Sequence, residues 1–462
     1  MAGSGKPRKV AIACQGGGSH AAFCAGALKV LLAGQVEGDY RVSGLSGTSG
    51  GAVCAALAWY GMAAGGADVE RASRDAAQRL DAFWSDNAAA LWWEKWWNEA
   101  LQWGAIAPFE PKWSPYAIPV QEMADLAATV RERLGLPGPR REFVDLASLL
   151  EAHAPRLDRV AFGDVLLLLG AVDVGSGAFK AFSSHRGEIS ADAVLASAAL
   201  PTIFRALRID GRAYWDGLFS QNPPLRNFVA DPEFADDKPD EIWVLQVNPQ
   251  RSATEPRSAR DIEDRRNELA GNLSLNQEIE FIRTVNRWLA EGRLAGARPH
   301  ARASLKPVAV YRIVMDSAAL GEQVGELDLA SKLDRRAELI SALMAQGEAQ
   351  ARLFLPVRRY IAEVWREPDP RVRKFRAAGL VAARREAERS QAHALPEAWR
   401  QCVIEIDDMR MHAGGAGEGR VELDWSGHGA GQDGRPLRRT GGASFAVAGG
   451  VLQDVTLTAD AV

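Results

Sequence analysis

Histidine is scarce in this chain, with seven among 462 residues, and none of the seven sits in a spacing that marks a catalytic triad or a metal site. His300 follows a proline in a polar stretch, and His412 and His428 lie in a glycine-rich tail. Only His185, just beyond an expected strand, competes for the part of a general base. Cysteine is scarcer still. Cys14, Cys24, Cys54 and Cys402 form no CxxC pair, which excludes a disulfide-dense scaffold. Three of them sit in apolar stretches and read as small buried side chains, so a reducing compartment is expected. No charge dominates: 55 Lys and Arg against 59 Asp and Glu leave a net charge of −4. That excludes the strong basic field of a nucleic-acid partner.

Long apolar runs are also missing. No segment reaches the roughly 18 consecutive apolar residues that span a bilayer. Lys6, Arg8 and Lys9 precede an apolar run and so imitate a secretion signal. The run is broken by Gln15-Gly16-Gly17-Gly18-Ser19-His20, which would ruin a signal helix. A cytoplasmic location is expected, with any membrane contact peripheral.

What is present is ordinary for a globular enzyme, 47% apolar and 25% charged. The length exceeds what one hydrophobic core usually fills. Lys9 to Cys14 reads as a buried strand, followed by the glycine loop and a helix over 21–35. Val42 to Ser46 reads as a second strand and Gly50 to Tyr60 as a second helix. Strand, loop and helix twice over mark an α/β layer with parallel strands. Val165 to Val174 and Ala178 to Ser183 read as two strands about a tight turn, and Glu241 to Val247 as another buried strand. These readings divide the chain into a catalytic domain over 1–255, a helical region over 256–396, and a short β-rich tail over 397–462.

Gly47-Thr48-Ser49-Gly50-Gly51 is a G-x-S-x-G between a strand and a helix, the context that a nucleophile elbow requires. A serine on so sharp a turn is forced into a strained backbone, and glycines beside it remove Cβ clashes. The helix beginning there favours developing negative charge. By itself the pentapeptide also fits a plain βα turn. Gly16-Gly17-Gly18, directly after the first strand, would let main-chain N–H groups converge on one point, as an oxyanion hole needs. The residues that follow fit neither a dinucleotide loop nor a phosphate loop. Tyr214-Trp215-Asp216-Gly217 places a carboxylate at an apolar-flanked turn. Partly desolvated there, it could accept a serine proton directly, although Asp-Gly turns are common.

Taken in order, Gly16-Gly17-Gly18, Gly47 to Gly51, Ala196-Ser197-Ala198-Ala199-Leu200-Pro201, Asp216-Gly217 and Asn222-Pro223-Pro224 resemble the motifs of patatin-like phospholipases over roughly residues 8–250. The resemblance implies a three-layer α/β/α fold with a mainly parallel sheet and a Ser-Asp dyad. Ser49 would be the nucleophile and Asp216 its base, with amides of the Gly16, Gly17 and Gly18 loop, chiefly Gly17 and Gly18, holding the oxyanion. It implies neither a cofactor nor a metal. Two departures stand out. His20 and Ala21 occupy positions where the family usually has Arg or Lys and then Gly, which puts the loop's charge and headgroup preference in question. Leu218 follows Asp216-Gly217 where Gly or Ala is frequent.

Half of the fourteen tryptophans fall between Trp84 and Trp113. On a helical wheel, Trp92, Trp93, Trp96, Trp97, Ala100, Leu101 and Trp103 fill one half, and Glu94, Lys95, Asn98, Glu99 and Gln102 the other. Such a face suits either a membrane interface or a packed core. The substrate is read as a lipid or other acyl ester. A phospholipid, a neutral lipid or polyester, and a weakly active lipid-binding scaffold all remain open, as does oligomerisation.

Overall fold

The computed structural model describes residues 6–90, 92, 94–96, 98–99, 146–160, 163–201, 204, 206–231, 238–252, 255–294, 305–365, 377, 380–381, 403–414, 417–430 and 436–459. Two sheets organise the chain. The larger is built from β1 (Arg8–Cys14), β2 (Tyr40–Gly47), β3 (Leu166–Asp173), β4 (Phe179–Ser183), β5 (Leu207–Ile209), β6 (Arg212–Asp216), β7 (Glu241–Gln246) and β8 (Ala309–Val314), in the order β5-β6-β3-β2-β1-β7-β8, with β4 pairing β3. The pairs β3–β2–β1–β7–β8 are parallel, and β4, β5 and β6 add antiparallel pairings at one side.

Side-chain alternation explains why this sheet has two covered faces. Along β1, Val10, Ile12 and Cys14 join one core while Ala11 and Ala13 join another, and along β7 Trp243 and Leu245 part from Ile242 and Val244 in the same way. Strands apolar on both faces must be covered on both. The first core takes in α1 (Ala22–Ala33), α2 (Gly50–Gly65), α3 (Val69–Asn87) and a later helix, Ala337–Tyr360. The second is closed by the helix Ala259–Ala290, through Leu275, Ile279, Ile282 and Val285. We label Ala191–Ser197 α4, Ala259–Ala290 α5 and Ala337–Tyr360 α6. The result is the expected three-layer α/β/α arrangement.

The stretch 256–396, read as helical, also supplies a sheet strand, β8, paired in parallel with β7. The alternating run Val308 to Val314 is a strand signal that lies between helical segments. The charged run 257–272 leads into and forms the first half of α5, capped by Ser258 and Asp261 in a reciprocal capping box. In the tail, β9 (Val403–Ala413), β10 (Gly419–Ala430), β11 (Pro436–Ala448) and β12 (Val451–Ala459) form an antiparallel sheet in the order β12-β11-β10-β9. Its inner residues, among them Val421, Trp425 and Phe445, extend the first core. Arg283 of α5 and Arg312 of β8 fasten it, donating to the carbonyls of Ile406 and Asp407 at 2.8 and 2.7 Å.

Helix α6 is tied to the sheet by an ion pair without solvent. Arg358 donates to Glu241 at 2.8 Å, and both side chains are buried. The guanidinium also pairs with Asp39 and lies against the rings of Tyr40 and Trp243, 5.2 and 5.4 Å from their centroids. Among the described residues one helical stretch, Gly18–Glu37, is long and apolar enough to cross a membrane, yet 72% of its most apolar window is buried inside the fold.

Candidate active site

Strands β1 and β2 run in parallel and finish side by side, Cys14 opposite Gly47. Both loops singled out in the sequence therefore leave the same carboxyl edge of the sheet, where sites on open α/β sheets gather. The backbone of Ser49 is in the left-handed half of conformational space, φ 56° and ψ −131°, as the N-cap of α2. For a residue with a Cβ this is strain that the surroundings must hold. A Cβ on Gly47 would come within 2.3 Å of the Gly51 carbonyl oxygen, and one on Gly51 within 2.3 Å of the Cys14 carbonyl oxygen. Those close approaches are what the flanking glycines permit.

The motif around residue 197 explains what grips the elbow. The Ser49 amide donates to the Ser197 carbonyl at 3.1 Å and to its hydroxyl at 3.2 Å. The Ser197 hydroxyl in turn donates to the Gly170 carbonyl at 2.6 Å. On the other side, the Thr48 hydroxyl donates to the Gln221 carbonyl at 2.6 Å.

Asp216 ends β6, which pairs antiparallel with β3, Asp216 opposite Ala171. Its side chain is 1% exposed. It accepts hydrogen bonds from the Ser49 hydroxyl and from the Leu218 amide, the latter at 2.8 Å. Burial pushes its carboxyl up to about 7, more than these two hydrogen bonds pull it down. The structure thus brings Ser49 and Asp216 together. His185 is exposed on a turn after β4. His20 is buried, and its Nε2 bonds the Ser331 hydroxyl at 2.8 Å. Desolvation, with help from nearby Lys332, lowers it to about 3, so it stays neutral.

Within the glycine loop the three residues differ. The Gly16 amide donates to Asn222 Oδ1 at 2.7 Å. That bond anchors the loop and leaves the Gly16 amide already occupied, unlike the other two. The amides of Gly17 and Gly18 have no acceptor among the described residues. A Cβ on Gly18, at φ +56°, would lie 2.2 Å from the Lys332 carbonyl oxygen, and a Cβ on Gly16 would lie 2.8 Å from Ser49 Cβ. The loop runs directly over the elbow.

Several supports were not legible in the sequence. Gln15 Oε1 accepts from the amides of Val247 and Asn248, both at 2.9 Å, and its amide nitrogen donates to Asn272 Oδ1 at 2.9 Å. Asn248 Nδ2 reaches the Gly16 carbonyl at 3.3 Å. Glu278 of α5 accepts from the amides of Leu225 and Arg226 at 3.0 and 2.7 Å, holding the segment after Asn222-Pro223-Pro224. Each is a buried polar side chain that ties distant segments together.

Part of the chain also matches a known family. Residues 12–229 match the family described as Patatin-like phospholipase. That stretch is a patatin-like phospholipase domain. It contains the glycine loop, the elbow, α4 and the Asp216 turn. A search of curated proteins returns no match. Among solved structures, the chain is similar to VipD from Legionella pneumophila, at 14% identity and a TM-score of 0.30, over 75% of this chain and 67% of that one. It is also similar to the type III effector protein ExoU, at 15% identity and a TM-score of 0.19, over 81% and 69% of the two chains. Among the described residues, no group of three or more His, Cys, Asp and Glu side chains is placed to hold a metal ion.

Proposed function

We propose that this patatin-like protein is a lipid acyl hydrolase that cleaves acyl esters, phospholipids foremost, through an acyl-Ser49 intermediate. The observation that carries the reading is the hydrogen bond from the Ser49 hydroxyl to a fully buried carboxylate at Asp216. In the first half-reaction Asp216 takes the Ser49 proton as Oγ attacks the ester carbonyl, and then gives it to the departing alcohol. The negative oxygen of each tetrahedral intermediate is met by the amides of Gly17 and Gly18. In the second half-reaction Asp216 takes a proton from water as its oxygen attacks the acyl carbon, then gives that proton to Ser49 Oγ as the acyl–Oγ bond breaks and the acid leaves.

An aspartate at about 7 is matched to this work, because a base is most effective when its pKa lies near the working pH. The base form is the ionised one, so kcat/KM should rise with pH through about 7. Rates on a soluble acyl ester, measured between about pH 5 and pH 9, test this. A profile that is flat across that range would remove Asp216 from the role.

The tryptophan helix supports contact with a lipid surface. Trp92 is 74% exposed and Trp96 is 63% exposed. Asn98, from the polar half of the wheel, is instead buried, donating to Asp334 at 2.9 Å and accepting from the Arg335 amide at 2.8 Å. Lys95 and Glu99, of the same polar half, are exposed along with Trp92 and Trp96, so it is the exposure of the two tryptophans that carries the lipid-surface reading. Trp93, Trp97, Ala100, Leu101 and Trp103 lie outside the described residues. Exchanging both Trp92 and Trp96 for Ala is expected to weaken binding to phosphatidylcholine vesicles about tenfold or more with the melting temperature unchanged. Equal sedimentation with vesicles would return this face to protein packing.

A further inference from the structure

Lys332 is a lysine where none is expected, inside the protein and directly behind the glycine loop. Its carbonyl packs on Gly18. Its ammonium donates to Asn248 Oδ1 at 2.8 Å and to Asn267 Oδ1. We propose that Lys332 is a positioning residue for the oxyanion hole, acting through the Asn248 amide on the peptide that joins Gly16 to Gly17. This rests on the hydrolase reading above and names a control on that same site.

The Gly16 carbonyl and the Gly17 N–H belong to one rigid planar unit, so fixing the first aims the second. Asn248 Nδ2 fixes that carbonyl. An asparagine amide could equally turn its oxygen toward the loop, which would set two acceptors against each other and push the peptide round. Lys332 prevents this because an ammonium has donors only. It holds Oδ1 toward itself and leaves Nδ2 for Gly16. A positive charge at the head of the chain also polarises each hydrogen bond after it. The neighbouring peptide is pinned separately, since the Gly17 carbonyl accepts from the His20 amide at 3.1 Å. Both donors are thus set by what their carbonyl partners bond.

The charged groups facing the ammonium are Asp264 and Glu268 on α5 and Asp328 just ahead of the turn that carries Lys332, while His20, on the loop side, is neutral. Burial outweighs the carboxylates and lowers Lys332 to about 8. The charge that orders Asn248 is therefore present below about pH 8 and is lost above it. This gives turnover a falling alkaline limb, distinct from the rising acid limb of Asp216.

Steady-state kinetics on a soluble acyl ester, with folding followed by thermal melting, test the assignment. Lys332→Met is expected to lower kcat about tenfold or more with KM little changed, and to abolish the alkaline limb. Lys332→Arg, which keeps the charge, should recover much of the rate. Asn248→Asp keeps a partner for Lys332 but removes the donor to Gly16. It should match Lys332→Met, and the double variant should be no slower than either single one. If Lys332→Met fails to fold, Asn248→Asp and Lys332→Arg carry the test alone. An active wild type whose kcat withstands Asn248→Asp, or additive losses in the double variant, overturns the relay and leaves the hydrolase standing. A wild type that neither turns over nor labels at Ser49 with a fluorophosphonate overturns both.

Discussion

Asp216→Asn is expected to cut turnover by about 10³-fold or more, as is Ser49→Ala, and the double variant should be little worse than either. The two side chains share one proton, so removing either ends the same step. Asparagine keeps the size and the acceptor for the Leu218 amide but cannot take the hydroxyl proton. Labelling by a serine-directed fluorophosphonate gives a second readout. Wild type should label, and neither variant should do so at comparable speed. Rapid labelling of Asp216→Asn would show that another group activates Ser49.

Stability should move the other way, which separates chemistry from folding. In the folded protein Asp216 is raised from 3.8 to about 7, so the native state holds a proton that the unfolded chain has lost. Stability is then highest below the unfolded value and is given up as pH rises through about 7. Asparagine carries no such charge. Above pH 7 the Asp216→Asn protein should therefore melt no lower than wild type while being inert. A large drop in its melting temperature would recast Asp216 as structural.

The second large effect concerns α6. Arg358→Met should destabilise the protein by about 3 kcal/mol in urea unfolding, because it removes the buried cation of Glu241 and leaves that carboxylate the partly exposed Arg8 guanidinium at 3.8 Å. Glu241 also accepts from the Trp243 indole at 3.0 Å, but a neutral donor cannot replace a guanidinium. Combining Arg358→Met with Glu241→Gln should return most of the loss, since the cost lies chiefly in the stranded carboxylate. A loss near the ~0–1 kcal/mol of an exposed pair would mean that water reaches this clamp.

How much of this could be read from the chain depended on whether a residue's role is local. Ser49 and Asp216 stand out in the sequence because glycine marks both turns, at positions 47, 50 and 51 around the one and at 217 after the other. The separate part of Gly16 within the loop was hidden for the opposite reason. Its amide is occupied by Asn222, some 200 residues away, and no local pattern announces such a partner. Gln15, Asn248, Glu278 and Lys332 share that obscurity. Each looks like a surface polar residue until folding buries it. The strand β8 was missed because one short alternating run between helical stretches is weak evidence beside the composition around it. The outward turn of Trp92 and Trp96 was equally unreadable. A helical wheel separates two faces but does not say which one the protein keeps.

The groups that grip the glycine loop extend well past residue 229, where the family match stops. Asn248, Gly271 and Lys332 all come later, and so do β7 and β8. A fragment ending at that boundary would keep both reacting side chains yet leave β1 as a raw sheet border, its amides open to water or to another chain. If the proposed reaction holds, the smallest piece able to perform it is considerably longer than the piece that matches the family. A cut that looks generous on a motif map would sever the hinge pins and keep the door.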